Sequence, residues 1–300
     1  MFRIFPSVPI TWRSPSCVQF GVDDPVLIDG LLPADVTLVE ELRMGVGSAQ
    51  YYSRAQDLGA DLGRASSLIT LLDEAGVLVP DDSDAVLVTK SSPLLATAQI
   101  FALSPDRVSR LLGDSPIVVL GPLRAVTEQY LSASGFAIAE QRRVEELDLM
   151  SSPLVITTSY LVPDIHVATW LTDHEVPYCQ VVIGEYSLEV TGLIRPGTTP
   201  CAVCACLRKK DADDSWLDQY SHVRALPDRE SLSDPLSRVL GALNVVQVLR
   251  RSLLQPDTEP VNRNVSLATG IGTDESLAFH PRCQCRVSVP HFDLIDEQAQ

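Results

Sequence analysis

Two short cysteine pairs restrict this chain more than any other feature. Cys201 and Cys204 form a Cys-x-x-Cys within RPGTTPCAVCACLRKKDADDSW (195–216), a loop opened by Pro196, Gly197 and Pro200; HPRCQCR, some eighty residues on, supplies Cys283 and Cys285. Two close pairs of soft donors joined by a long insertion suit a tetrahedral zinc held by four thiolates. Such a shell is closed to water, so the expected role is a structural staple and not a reaction centre. The alternative is that the five cysteines from Cys201 to Cys285 are small buried hydrophobes. Cys206 and His280 are the residues that could replace a ligand.

Length and charge narrow the class. Three hundred residues, 45% hydrophobic and 21% charged, allow about two globular domains. Seven cysteines, odd in number and clustered, point to a reducing, cytoplasmic setting. There is no run of eighteen apolar residues to span a membrane, and the first residues do not read as a secretion signal. The 39 acidic and 23 basic residues give a net charge of −16, which argues against a nucleic-acid partner.

Residues 8–12, 17–21 and 26–29 read as short strands divided by Ser, Pro and Asp-Asp-Pro breakers. Helices follow from Pro33, with Val36, Val39 and Leu42 at helical spacing, from Ser48, and over 64–75, where Leu68, Leu71 and Leu72 share a face. With extended residues 77–79 this makes a small winged-helix-like module over 1–84, closed by an acidic linker, DDSD (81–84). Residues 85–115 read as a strand and then a helical connecting region. From Pro116 the pattern becomes strand–helix alternation: PIVVLG, a helix, FAIAE, PLVITTS, a helix, PYCQVVIGE. Continuous apolar runs of this kind belong to strands buried on both faces, and the expected fold of 116–300 is α/β, a doubly wound, largely parallel sheet. A long helix capped by Ser233 or Asp234 and a late strand, NVSLATG, precede the second cysteine pair.

Such a domain invites a nucleotide, so the first strand–turn–helix is the test. Gly121-Pro122-Leu123-Arg124 keeps one glycine, and Pro122 removes an amide donor. After the second strand, Glu140 stands where an acidic residue would hold a ribose. A working ATP site is not expected from this turn.

Residues 116–286 resemble the ThiF-type activating-enzyme fold, and in particular the partner proteins of azoline-forming cyclodehydratases in ribosomal-peptide (bacteriocin-type) biosynthesis. The motifs that carry the resemblance are VPYCQVVIGE, TGLIRPGTTPCAVC with Asp-Asp-Ser-Trp at 213–216, and HPRCQC. It implies zinc on Cys201, Cys204, Cys283 and Cys285, an N-terminal winged helix that recognises a leader peptide, homodimerisation, and a separate YcaO-type enzyme that uses the ATP. Active adenylating relatives carry a glycine-rich turn, a basic helix and an aspartate after the central strand. Here the turn is degraded, Ser159 stands where that aspartate is expected, and Asp164 reads as a helix cap.

The resemblance therefore implies a non-catalytic scaffold that binds a leader and presents the precursor to its partner enzyme. In the winged helix the guest would lie between Val26, Leu27 and Ile28 on one side and Leu68, Leu71 and Leu72 on the other. The rival readings are an ATP-dependent adenylyltransferase acting on a carboxyl terminus and a winged-helix DNA-binding regulator. Cys17 and Cys179 read as core residues; His166, His174, His222 and His291 show no ligand spacing; Trp12 and Trp170 read as packing.

Overall fold

The computed structural model describes residues 1–80, 94–227, 230, 234–256 and 261–286. The linker DDSD, the strand expected just after it, Ser233 and His291 lie outside these. Contacts divide the chain into two units, Met1–Leu111 and Leu112–Gln300. No helix among the described residues is long and apolar enough to cross a membrane.

The first unit opens with three antiparallel strands, β1 (Ile10–Ser14), β2 (Cys17–Phe20) and β3 (Val26–Ile28), in the order β1-β2-β3. Three helices follow, α1 (Pro33–Met44), α2 (Ser48–Asp57) and α3 (Leu62–Glu74). Register decides which strand residues are inside. Phe20 and Val18 are buried opposite Val26 and Ile28, so Gln19 and its partner Leu27 point outward. Leu38, Val39 and Leu42 of α1 and Leu68 and Leu72 of α3 complete this core. Leu71 does not join it: it is 50% exposed, although the helical pattern grouped it with its neighbours. The start of the chain is tied down by Phe5 N–H to Val77 O (3.0 Å) and Val79 N–H to Arg3 O (2.8 Å). Arg64 reaches from α3 to the buried carboxylate of Asp35 and to Gly30 O, fixing the start of α3 beside the end of β3. Two further helices, α4 (Leu94–Ile100) and α5 (Pro105–Gly113), follow.

The second unit is a six-stranded sheet in the order β4-β5-β6-β7-β8-β9. The strands are β4 (Ile117–Leu120), β5 (Leu154–Tyr160), β6 (Tyr178–Ile183), β7 (Ser187–Val190), β8 (Val261–Ser266) and β9 (Gly272–Ser276). β4, β5 and β6 are parallel, whereas β6 to β9 pair antiparallel, so the sheet is mixed and not largely parallel. FAIAE contributes only a parallel bridge, Ile138 to Ile117. The helices are α6 (Arg124–Ala133), α7 (Ile165–Asp173), α8 (Ala202–Ala212), α9 (Trp216–Ala225) and α10 (Pro235–Leu254).

Both faces of the parallel strands are covered. α10 packs on α6, β6 and β7. Gly241 eases that closeness, because a Cβ there would lie 3.2 Å from side chains of Leu123 and Val181, which would have to shift slightly. The opposite face carries α7 and α8 over a core of Val118, Val155, Leu171, Tyr178 and Ile194, which Cys201 and Cys204 join. Asp234 caps α10 through Leu236 N–H (2.8 Å), and Asp164 caps α7 through Val167 N–H (3.4 Å) while pairing with Arg224 (3.1 Å).

Candidate metal centre

Cys201 occupies the cap position of α8 and Cys204 its first turn, so both thiols leave the same end of the helix. A turn at 280–283, closed by Cys283 N–H to His280 O (3.0 Å), brings the second pair to them. Sγ separations are 3.9 Å for Cys201–Cys204, 3.6 Å for Cys201–Cys283 and 3.6 Å for Cys204–Cys285. All four sulfurs lie within 4.8 Å of one another. A tetrahedral ion with zinc–sulfur bonds of about 2.3 Å requires sulfurs about 3.8 Å apart, so the donor set fits such an ion. Disulfides need sulfurs at about 2.0 Å, well inside these separations.

The thiols share protons unequally. Cys204 is held down at about 4 by the hydrogen bond from the Cys201 thiol, aided by His280 N–H (3.4 Å). Cys201 is pushed up correspondingly, by the same bond and then by burial. Burial, followed by the bond with Cys204, raises Cys285 to about 11. A divalent cation would displace the remaining protons and offset the repulsion of converging thiolates. Tyr178 anchors the start of α8 by accepting Ala202 N–H (3.2 Å). A cavity of about 420 Å³ adjoins the centre, lined in part by Thr172, Asp173, Pro196, Cys201, Cys283 and Cys285.

The other cysteines stand apart. Cys206, on α8, is buried outside the four-sulfur group, and burial raises its thiol to about 12, which makes it a poor nucleophile at neutral pH. Cys179 lies wholly buried in β6, its thiol raised by burial. Both ring nitrogens of His280 are engaged: Nδ1 accepts Arg282 N–H (3.1 Å) and Nε2 therefore carries the proton toward Asp211 (2.7 Å). His280 shapes the turn and offers no lone pair to a metal. Asp213 of the Asp-Asp-Ser-Trp motif accepts Ser215 N–H (2.9 Å) just before α9, and Trp216 packs on Tyr220.

The turn after β4 is arranged quite differently. Gly121 has φ +94° and passes so close to β5 that a Cβ would lie 2.1 Å from Thr158 O. Thr158 Oγ1 accepts Leu123 N–H (3.1 Å) and donates to Leu120 O (2.9 Å). Arg124 N–H bonds Gly121 O (3.3 Å), and Pro122 has none to give. Of the amides at this turn, Pro122 has none, and those of Leu123 and Arg124 are bonded within the chain. Glu140 is exposed and meets Arg124 through its backbone oxygen (3.4 Å). Ser159 is half-buried in β5, its hydroxyl without a hydrogen-bond partner among the described residues.

In the first unit Leu27 (48% exposed) and Leu71 (50% exposed) face solvent, Val26 and Ile28 are half-buried, and Leu68 and Leu72 belong to the core. β3 is the outer strand of its sheet, with no partner on its free edge among the described residues.

Neither a protein-family model nor a curated protein sequence matches the chain. Solved structures do. The heterocyclase TruD superposes with a TM-score of 0.68 at 16% identity, over 96% of this chain and 43% of that one. A heterocyclase in complex with substrate and cofactor gives 0.67 at 14%, over 96% and 39%. E. coli MccB with ATP gives 0.62 at 12%, over 95% and 99%. The chain therefore shares its fold with these heterocyclases and with MccB, spanning under half the length of the heterocyclases and nearly all of MccB.

Proposed function

We propose that this chain is a non-catalytic, zinc-stapled scaffold that binds the leader of a ribosomal precursor peptide and presents the rest to a separate YcaO-type cyclodehydratase. Residues 1–84 form a winged-helix leader-binding module, 85–115 connect, and 116–300 form a ThiF-like domain whose zinc on Cys201, Cys204, Cys283 and Cys285 is structural. The chain works in the cytoplasm as a homodimer. The observation that carries this reading is the turn at Gly121, where the chain's own Thr158 takes the Leu123 amide and Pro122 has none to offer a phosphate. The open edge of β3, with Leu27 and Leu71 exposed, supports a guest strand added beside it. The structural likeness to heterocyclases, and to MccB bound to MccA, supports a peptide as the guest. Holding the leader raises the effective concentration of the core peptide at the partner enzyme.

The second reading, an ATP-dependent adenylyltransferase, is favoured by the near full-length match to MccB with ATP. Two titrations separate them. Selection from a displayed library of extended peptides should yield binders whose affinity falls at least tenfold in Leu27→Glu and Leu71→Glu, while calorimetry with Mg-ATP shows no binding. Micromolar ATP binding would replace the scaffold with the adenylyltransferase, and binders indifferent to both substitutions would remove the β3 groove.

A further inference from the structure

The stripe of α8 that begins with the metal-binding thiols continues down the helix. Cys201, Cys204, Arg208 and Asp211 recur at spacings of three, four and three, so they share one face. All four meet the same distant segment, residues 278–285. Arg208 donates from Nη2 to Ala278 O at 2.5 Å. Asp211 accepts from His280 Nε2 at 2.7 Å and pairs with Arg282 through its other oxygen. Between these contacts and the thiols, His280 N–H points at Cys204 Sγ (3.4 Å).

The His280 ring is the middle of this arrangement. Its side chain is 5% exposed, while Asp211 and Arg282 are half-exposed. The ring accepts Arg282 N–H on one nitrogen and donates to Asp211 on the other, which fixes both the rotamer and the tautomer. The His280 carbonyl then accepts Cys283 N–H (3.0 Å), which sets the direction in which Cys283 leaves the turn. Each contact joins protein atoms, and together they hold the second pair of thiols in register with the first.

We propose that Arg208, Asp211, His280 and Arg282 are positioning residues that dock the 278–285 segment on α8 and assemble the four thiols before metal arrives. The centre is therefore a preformed socket in a folded chain, unlike metal domains that fold only on binding. This rests on the four-thiol reading above and adds to it that residues outside the ligand set govern metal affinity. Loss of such outer contacts commonly weakens binding about 10–100-fold, because the ligands must then be ordered at the expense of binding.

The test is a competition between the full-length chain and a chromophoric zinc chelator, with a parallel cobalt titration read by its thiolate charge-transfer band. Asp211→Asn and Arg282→Gln alter half-exposed groups and leave the core intact. Both should bind zinc about 10–100-fold more weakly than the parent, with an unchanged metal-free circular dichroism spectrum and, at saturation, the same four-sulfur cobalt spectrum. Asp211→Glu, which restores the carboxylate, should recover part of the loss. Affinities within twofold of the parent in both variants would overturn the proposal while leaving the metal site standing. If Asp211→Asn alters the metal-free spectrum, Arg282→Gln decides by the same twofold criterion. A parent chain that takes up no zinc or cobalt would instead remove the four-thiol reading on which the proposal rests.

Discussion

Two loops of the second unit show opposite ways of treating polar groups at a helix start. At α8, four thiols converge, with three pairs of sulfurs 3.6–3.9 Å apart and all four within 4.8 Å. At α6, Thr158 reaches across from β5 and takes up the Leu123 amide and the Leu120 carbonyl. The first loop has donor atoms arranged for something from outside the chain. The second is bridged from within by Thr158, and the turn takes a glycine at 121 because only a residue without Cβ can approach Thr158 O so closely. Resemblance to a nucleotide-binding fold therefore carries less weight than which donors at the turn are engaged, here those of Leu123 and Arg124.

The largest effect expected from breaking this contrast comes from the metal side. Cys201→Ser removes one of four ligands, and zinc content should fall to near zero with about 3–5 kcal/mol lost from the stability of the second unit, measured by chemical denaturation with and without chelator. On the closed side, Gly121→Ala forces a side chain against Thr158 O in a backbone conformation with φ +94°, and should cost about 3 kcal/mol by the same measurement.

Proton linkage gives the next prediction, with a definite sign. Cys201 and Cys285 are raised, so at neutral pH the metal-free chain holds a proton on each, and metal binding must release both. Affinity therefore rises with pH, by at least about 100-fold per unit near neutrality for these two protons, and falls as pH is lowered. A chelator competition at pH 6.5 and 7.5 (roughly a unit apart on either side of neutrality) reads this directly. The smallest effect belongs to Thr158→Ala, which frees the Leu123 amide: a loss of about 1–2 kcal/mol in thermal unfolding, with Thr158→Ser retaining most of the stability.

Much of the fold was legible because its signals are local. Continuous apolar runs marked β4, β5 and β6, and breaker residues separated β1, β2 and β3. The sheet's antiparallel half was harder to read. β9, GTDES, is exposed throughout and carries no alternation, and β7 is only four residues long, so the parallel pattern was extended too far. FAIAE has the composition of a strand but pairs at a single bridge, a tertiary outcome that propensity does not encode.

The site divides in the same way. Cysteine spacing pointed to the four thiols before any coordinates, and Pro122 weakened the nucleotide turn. The plug itself was hidden, since Thr158 in PLVITTS reads as an ordinary β-branched strand residue. Asp211 was missed because its partners lie some seventy residues away, yet its seven-residue offset from Cys204 put it on the metal-facing stripe of α8. Leu68, Leu71 and Leu72 were read together as one side of a peptide groove, but only Leu71 is exposed, because the other two face the core of the first unit.

Native mass spectrometry of the purified chain after incubation with millimolar Mg-ATP reads both loops in one spectrum. The predicted species is the chain with one zinc per subunit and no nucleotide adduct. A metal-free mass, or a zinc-bound chain that also retains one ATP, would contradict the account.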